Sequence, residues 1–197
     1  MIYEPINNFY NQKMNLINIR EPRFIFFSDV CKNKKVMHIG CADAMAFKED
    51  SNLHIYLSKT CEGISLDGLD IDFITIKKLE ELCPGKYYVS YDVKDEYDLV
   101  LIPEVIEHVS NVGSFLGDIF SIKSKEYLFT APSLNGAQFF FDDEFALEMV
   151  HPDHKYWFSP YTLYNTIKPF SEGFDMKMYY LENKSQIGIR LNKKVRR

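Results

Sequence analysis

The sequence predicts an α/β fold, a mostly parallel sheet with helices on both faces and an antiparallel C-terminal hairpin, and three observations carry that expectation. Strand-like and helix-like patterns alternate along most of the chain. Asp98 to Ile102 reads DLVLI, a short run rich in Leu, Val and Ile of the kind that a parallel sheet buries on both faces. Small or acidic residues follow the strand-like runs, at Gly40 to Ala44, Asp70 and Asp92, where open α/β sheets hold their ligands.

Taken in order, Phe9 to Cys31 reads as a helical cover interrupted near Pro22, and Lys35 to Ile39 as the first strand. Gly40 to Ala44 is a small-residue turn, and a helix including Leu53 to Lys59 follows. Ile64 to Leu69 is the second strand, with a bulge or lengthened loop expected around Ser65 to Asp67. Asp72 to Cys83 carries Phe73, Ile76, Leu79 and Leu82 at spacings of three, an amphipathic helix closed by Pro84-Gly85. Lys86 to Tyr91 is the third strand and Asp98 to Ile102 the fourth, broken by Pro103. Beyond it, a helical turn would set Glu104, Glu107 and His108 at i, i+3 and i+4 on one face. Val112 to Ile122 is a helix and Glu126 to Ala131 the fifth strand. Ser133 to Trp157 shows no clean period, and so long an aromatic segment inside a compact domain points to a functional loop. Ser159-Pro160 starts a helix to about Phe170, stopped at Gly173. Asp175 to Leu181 and Gln186 to Asn192 form the closing hairpin.

At 197 residues the chain fits a single domain. Its 46% hydrophobic and 15% aromatic content excludes a disordered chain, and its net charge of −5 argues against broad nucleic-acid binding. The basic end, Lys193, Lys194, Arg196 and Arg197, reads as a solvated terminus. Cys31, Cys41, Cys61 and Cys83 form no C-x-x-C pair and read as reduced core thiols of a cytoplasmic protein. The N-terminus has no basic segment leading into an apolar one, and no apolar run reaches about 18 residues, so neither secretion nor a membrane span is expected.

Strand, small-residue turn and helix, with an acid ending the next strand, is a layout suited to a nucleoside. Gly40 allows a sharp turn and close backbone approach, and Ala42 and Ala44 leave the opening nearly free of side chains. Asp70 can accept hydrogen bonds from two vicinal ribose hydroxyls, and Asp92 is placed for an adenine amino group. Singly, each is equally a tight turn or a solvated strand end.

Together and in this order the segments resemble the class I S-adenosylmethionine-dependent methyltransferases, over nearly the whole chain from Lys35 onward. VMHIGCADA (Val36 to Ala44) is similar to the family's first motif, GLDID (Gly68 to Asp72) to its ribose-binding strand end, and YDLVLIPEVIEHV (Tyr97 to Val109) to its fourth strand. FTAPSLNG (Phe129 to Gly136) and HPDHKYWFSPYTL (His151 to Leu163) resemble later segments of the type 11 and type 12 branch. Two departures stand out: His38 replaces the usual acid of the first motif, and Ala42 and Ala44 replace two of its glycines.

The resemblance implies a Rossmann-like sheet of seven strands, the last antiparallel. Residues 1–34 would form a helical cover, 35–132 the cofactor-binding half, and 133–197 the acceptor loop, helix and hairpin. It implies S-adenosylmethionine as cofactor, held at the first strand end by His38, Gly40, Cys41 and Ala42. Asp70, Ile71, Asp92, Val93 and Pro103 would complete that site from the neighbouring strand ends. Glu104, Glu107, His108 and His154 become candidate catalytic groups for proton removal from a hydroxyl acceptor. The same four match the E-x-x-E-H metal site, with a further histidine, of the small-RNA 3′-terminal 2′-O-methyltransferases. Ubiquinone-pathway O-methyltransferases share the E-x-x-E-H part. That likeness implies a divalent cation such as magnesium or manganese. Against it, E-x-x-E-H also occurs in methyltransferases without a metal, where Glu107 would brace the loop and His108 would pack.

His151 and Trp157 would either close over the acceptor or pack, and Phe139 to Phe141 would either line its pocket or anchor the loop. The expected acceptor is a hydroxyl of a small molecule or glycan precursor, with no nucleic-acid or membrane partner. The alternatives are a metal-assisted RNA terminal 2′-O-methyltransferase and a non-catalytic nucleoside-binding module.

Overall fold

The computed structural model describes residues 3–6, 9–43, 47–48, 51–136, 138–141, 146–149 and 151–194. An antiparallel pair, β1 (Tyr3–Ile6) and β2 (Phe9–Gln12), precedes β3 (Leu16–Asn18) and helix α1 (Arg23–Cys31). Then come β4 (Lys35–Ile39), α2 (Leu53–Thr60), β5 (Ser65–Leu69), α3 (Phe73–Leu82) and β6 (Tyr87–Tyr88). The next elements are β7 (Tyr97–Pro103), α4 (Val112–Ser121) and β8 (Ser124–Pro132). A second antiparallel pair, β9 (Gln138–Phe141) and β10 (Ala146–Met149), leads to α5 (Pro160–Ile167) and to the hairpin β11 (Phe174–Leu181) and β12 (Gln186–Lys193).

The main sheet has eight strands in the order β3-β11-β12-β8-β7-β4-β5-β6. Only β12 runs against its neighbours, pairing antiparallel with both β8 and β11. At the centre, Leu99 to Ile102 of β7 are all 0% exposed, as a strand covered on both faces must be. Alternate residues feed two cores. Leu99 and Leu101 pack with Phe27 and Val30 of α1 and Leu57 of α2, while Val100 and Ile102 pack with Phe115 and Leu116 of α4 and Leu163 of α5.

Short polar side chains start the helices where the sequence placed them. Asn52, Asp72 and Asn111 accept from backbone N–H groups of the first turns of α2, α3 and α4, and Ser159 forms a capping box with Thr162 ahead of Pro160. The four cysteines are buried free thiols. No described helix is long and apolar enough to cross a membrane.

Five expectations are corrected. Phe9–Gln12 and Leu16–Asn18 are strands rather than parts of a helix, and β3 adds an eighth strand by pairing parallel with β11. Its side-chain pattern did not distinguish an edge strand from a helix, and only the free edge of β11 decides. Ser65 to Asp67 is regular strand: buried Asp67 accepts from Lys86 N at 2.9 Å and from the Tyr97 hydroxyl at 2.8 Å, which absorbs the acid within the sheet. The third strand shrinks to Tyr87–Tyr88. Pro103 is the last paired residue of β7, opposite Thr130, and not a break before it. The segment after Pro103 is a turn rather than a helix, because Glu104 has a positive φ of 52° and its N–H is bonded to Thr130 O at 3.0 Å.

Candidate functional site

A cavity of about 490 Å³ opens at the carboxyl ends of β4, β5 and β7. One wall is the small-residue turn. Gly40 has a φ of +73°, and a Cβ there would lie 2.5 Å from Cγ2 of Val105, so conformation and space both require glycine. Asp70 braces the turn from β5: Oδ2 accepts from Ala42 N and Oδ1 from Asp72 N, each at 2.9 Å. Burial raises the Asp70 pKa, and these backbone donors oppose the rise. His38, Cys41, Ile71 and Pro103 also line the cavity, with Ile71 standing 84% exposed.

Asp92 and Val93 are not among the lining residues. The Asp92 side chain is 74% exposed and pairs with Lys94, whereas Val93 belongs to the core beside α4. An acid after a strand end cannot be assigned to a cavity from sequence alone, since the length of that strand sets where it points.

Of the acidic and imidazole groups that the sequence singled out, Glu104 and His108 line the opposite wall, joined by His151, while Glu107 and His154 lie behind it and are not among the lining residues. Glu104 Oε1 accepts from Thr130 Oγ1 at 2.8 Å. Glu107 is 0% exposed, and neither carboxylate oxygen has a hydrogen-bond partner among the described residues. The nearest described cation-forming group is His108, whose Nε2 lies 3.7 Å from Glu107 Oε1. Burial holds both carboxyls well above the ordinary carboxylate range, and the charge of Glu104 pushes Glu107 further in the same direction.

His154 arrives from a distant part of the sequence and meets His108 with ring centroids 4.7 Å apart. The segment carrying it is docked by backbone contacts. Lys155 N donates to Glu107 O at 2.8 Å, Lys155 Nζ to His108 O, and the Tyr156 hydroxyl to Ser110 O at 3.1 Å. Trp157 stands edge-on to His154 at 6.0 Å. A third imidazole, His151, completes the group, and one nitrogen from each of His108, His151 and His154 lies within 4.8 Å of the others. The sequence reading gave His151 no ligand role; its signal was the H-P-D-H spacing, which a turn with His154 N bonded to His151 O at 3.0 Å folds onto one side.

Burial and the neighbouring imidazoles lower the pKa of His108 and His154, so both stay neutral with a lone pair to offer. Nδ1 of His154 is buried and has no partner among the described residues. The donor atoms that converge are the three imidazole nitrogens; Glu104 and Glu107, expected from the sequence as ligands, are not part of that group, and Glu107 approaches it only at His108, 3.7 Å away. Three neutral imidazoles suit a divalent cation, and a cation there would favour the charged form of the neighbouring Glu107 carboxyl.

No protein-family model and no curated protein matches the chain. Solved structures do. The methyltransferase domain of a bacterial Hen1 aligns with a TM-score of 0.61 at 16% identity, over 86% of this chain and 97% of that one. An S-adenosylmethionine-dependent methyltransferase from Aquifex aeolicus aligns with a TM-score of 0.59 at 10% identity, over 87% and 88%. A chain of the Pnkp1/Rnl/Hen1 RNA repair complex aligns at 0.58 and 13%, over 87% of this chain and 41% of that one. At such identities the likeness is one of fold, and the fold is that of the class I S-adenosylmethionine-dependent methyltransferases.

Proposed function

We propose that the protein is a cytoplasmic S-adenosylmethionine-dependent O-methyltransferase that uses a divalent cation, and that its acceptor offers two adjacent oxygens, as in a small molecule or glycan precursor. The observation carrying this reading is the group of His108, His151 and His154, one nitrogen of each within 4.8 Å of the others, with His108 and His151 lining the cavity that also holds Asp70 and Gly40, and with the buried Glu107 carboxyl, unpartnered among the described residues, 3.7 Å from His108. The cofactor supplies a methyl group on a sulfonium, already electrophilic, so the protein has mainly to align donor and acceptor. The turn at Gly40 to Ala42 and the free lone pairs of Asp70 hold the nucleoside end. His108, His151 and His154 would ligate the cation, with Glu104 and Glu107 as neighbours. A cation held there would lower the pKa of an acceptor hydroxyl, and a side chain of this group left outside the coordination could take the proton released.

A second reading, methylation of the terminal ribose of an RNA, draws on the fold likeness to the bacterial Hen1 domain and to a chain of the RNA repair complex, and on the same donor set, since a terminal ribose also presents a vicinal diol. The acidic chain, at a net charge of −5, leads us to rank it second.

The test is methyl transfer from labelled S-adenosylmethionine to catechol-type and sugar diols and to RNA ending in a 2′,3′-diol, with and without chelator, alongside elemental analysis of protein purified without chelator. Metal-dependent transfer to a diol is the expected result. Activity that persists in chelator would remove the metal from the mechanism, and no binding of S-adenosylmethionine at millimolar concentration would overturn the enzyme reading. Hydrogen exchange over residues 133–157 checks whether that segment covers the acceptor, by gaining protection when cofactor and acceptor are both bound.

A further inference from the structure

The charged side chains around the cavity are acids, with one exception. Asp43, Asp70, Glu104 and Asp153 are among its lining residues, and the one lysine or arginine among them is Arg23, half-buried at the start of α1. Its guanidinium carbon stands 5.4 Å from the centre of the Phe24 ring, a contact that holds the cation without neutralising it. Among the described residues no carboxylate forms an ion pair or hydrogen bond with the guanidinium. Its charge is felt on the wall beyond β7, where burial raises the Glu104 pKa and the Thr130 hydroxyl and Arg23 oppose that rise.

A strained turn sets Arg23 in place. Pro22 precedes α1 and gives it no side-chain cap; instead Oε1 of Glu182, 159 positions along the chain, accepts from Arg23 N at 2.8 Å. Glu182 opens the turn between β11 and β12, in which Glu182, Asn183 and Lys184 have successive φ values of 46°, 53° and 72°. Adjacent non-glycine residues in the left-handed region are costly, and such strain persists only where the surroundings hold it. The same turn anchors the start of the segment after β8. Ser133 N donates to Ser185 O at 2.8 Å, and a Cβ at Gly136 would lie 2.7 Å from Ser185 Cα. One turn therefore positions both Arg23 and the beginning of the stretch that leads to His151 and His154. Glu182 makes its contact through the Arg23 backbone, which leaves the guanidinium charge for a ligand.

We propose that Arg23 receives an anionic group of the methyl acceptor, a carboxylate or a phosphate, so that the acceptor is a diol carrying negative charge. The proposal rests on the O-methyltransferase reading and adds the acceptor's charge to it. A guanidinium fork pairs with two oxygens of either anion, which fixes direction as well as charge. In a cavity whose other charged lining residues are acids, an anionic acceptor finds one cationic side chain. With the charge held at Arg23, its adjacent oxygens are left for the histidine group that borders the same cavity.

The test is calorimetry of protein saturated with S-adenosylhomocysteine and manganese, using catechol against protocatechuate, which adds a carboxylate, and glucose against glucose phosphate. The charged member of at least one pair should bind roughly tenfold more tightly, the scale of a charge-assisted contact, and the pair that shows it separates carboxylate from phosphate. Arg23→Gln should abolish the preference, and Arg23→Lys, which keeps the charge without the fork, should retain part of it. Glu182→Ala should weaken the charged probe more than the uncharged one, whereas Glu182→Gln, which keeps an acceptor for Arg23 N, should preserve the preference. Equal binding of charged and uncharged probes by the wild type, or no binding of any probe at millimolar concentration, would overturn the proposal and leave the O-methyltransferase reading standing. If S-adenosylhomocysteine itself does not bind, both fall. A loss of S-adenosylhomocysteine affinity in Arg23→Gln with the charged-probe preference intact would give Arg23 to the cofactor and also overturn the proposal. Should Arg23→Gln fail to fold, the wild-type pairs and Arg23→Lys still decide.

Discussion

The two walls of the cavity treat buried polar groups in opposite ways. On the turn side, each group has a partner within the chain: Asp70 accepts from Ala42 and Asp72, and the His38, His54 and Tyr87 rings end on a backbone carbonyl. On the other side, Glu107 keeps both oxygens and His154 one nitrogen without a partner among the described residues. A satisfied network holds its shape and offers a ligand only the lone pairs left over, whereas an unpartnered buried carboxyl costs free energy until a cation or a proton arrives. The first wall is built to position, and the second to bind charge.

Removing a ligand from the second wall, or the carboxyl beside the ligands, should have the largest effect. Glu107→Ala and His154→Ala are each expected to lose bound metal and to lower turnover by about two orders of magnitude or more, while S-adenosylhomocysteine still binds to the first wall. Loss of cofactor affinity in the same variants would show that the walls are not separable. Elemental analysis with calorimetry reads both.

The pH dependence sharpens the contrast. The raised Glu104 and Glu107 carboxyls hold protons that the unfolded chain releases, so metal-free protein should lose stability as pH rises above the ordinary carboxylate value of 4.5. The lowered His108 and His154 act in reverse, costing stability as pH falls through the ordinary imidazole value of 6.5, where the unfolded chain takes up protons. Thermal melts in chelator should therefore fall from about pH 6.5 into mildly alkaline buffer, and manganese should abolish the fall. Melts that are flat with pH in chelator would count against the charge-binding wall.

On the turn side, Asp70→Ala should weaken S-adenosylhomocysteine by about 1–3 kcal/mol, the range for removing a charge-assisted hydrogen bond along with the brace that holds the turn. Gly68→Ala should lower stability by about 1–3 kcal/mol through overpacking against Cys41 and Tyr87, read as a denaturation midpoint, without changing metal content. The smallest effect belongs to Asp92→Ala. Its exposed carboxylate pairs with Lys94 outside the cavity, and cofactor affinity should stay within about twofold.

Much of this arrangement is legible in the amino-acid order, because it is local. The DLVLI run determines a doubly covered strand, Asp72 and Ser159-Pro160 determine helix starts, and Gly40 determines a left-handed turn at a strand end, since each is a matter of neighbouring residues and backbone sterics. The residues 104, 107, 108 and 154 were legible as a group only through their resemblance to a known motif, and the helical turn expected to align the first three does not form. Tertiary structure decided the rest. Pairing of β3 with the free edge of β11 turned a predicted helix into a strand, and docking of Lys155 and Tyr156 onto residues 107–110 brought His151 and His154 to His108. Whether Asp67, Asp70 and Asp92 meet a tyrosine, a turn or water is likewise fixed by which strand lies beside each one. Backbone propensity acts over a few residues, whereas a sheet neighbour or a docked loop is chosen by the whole chain.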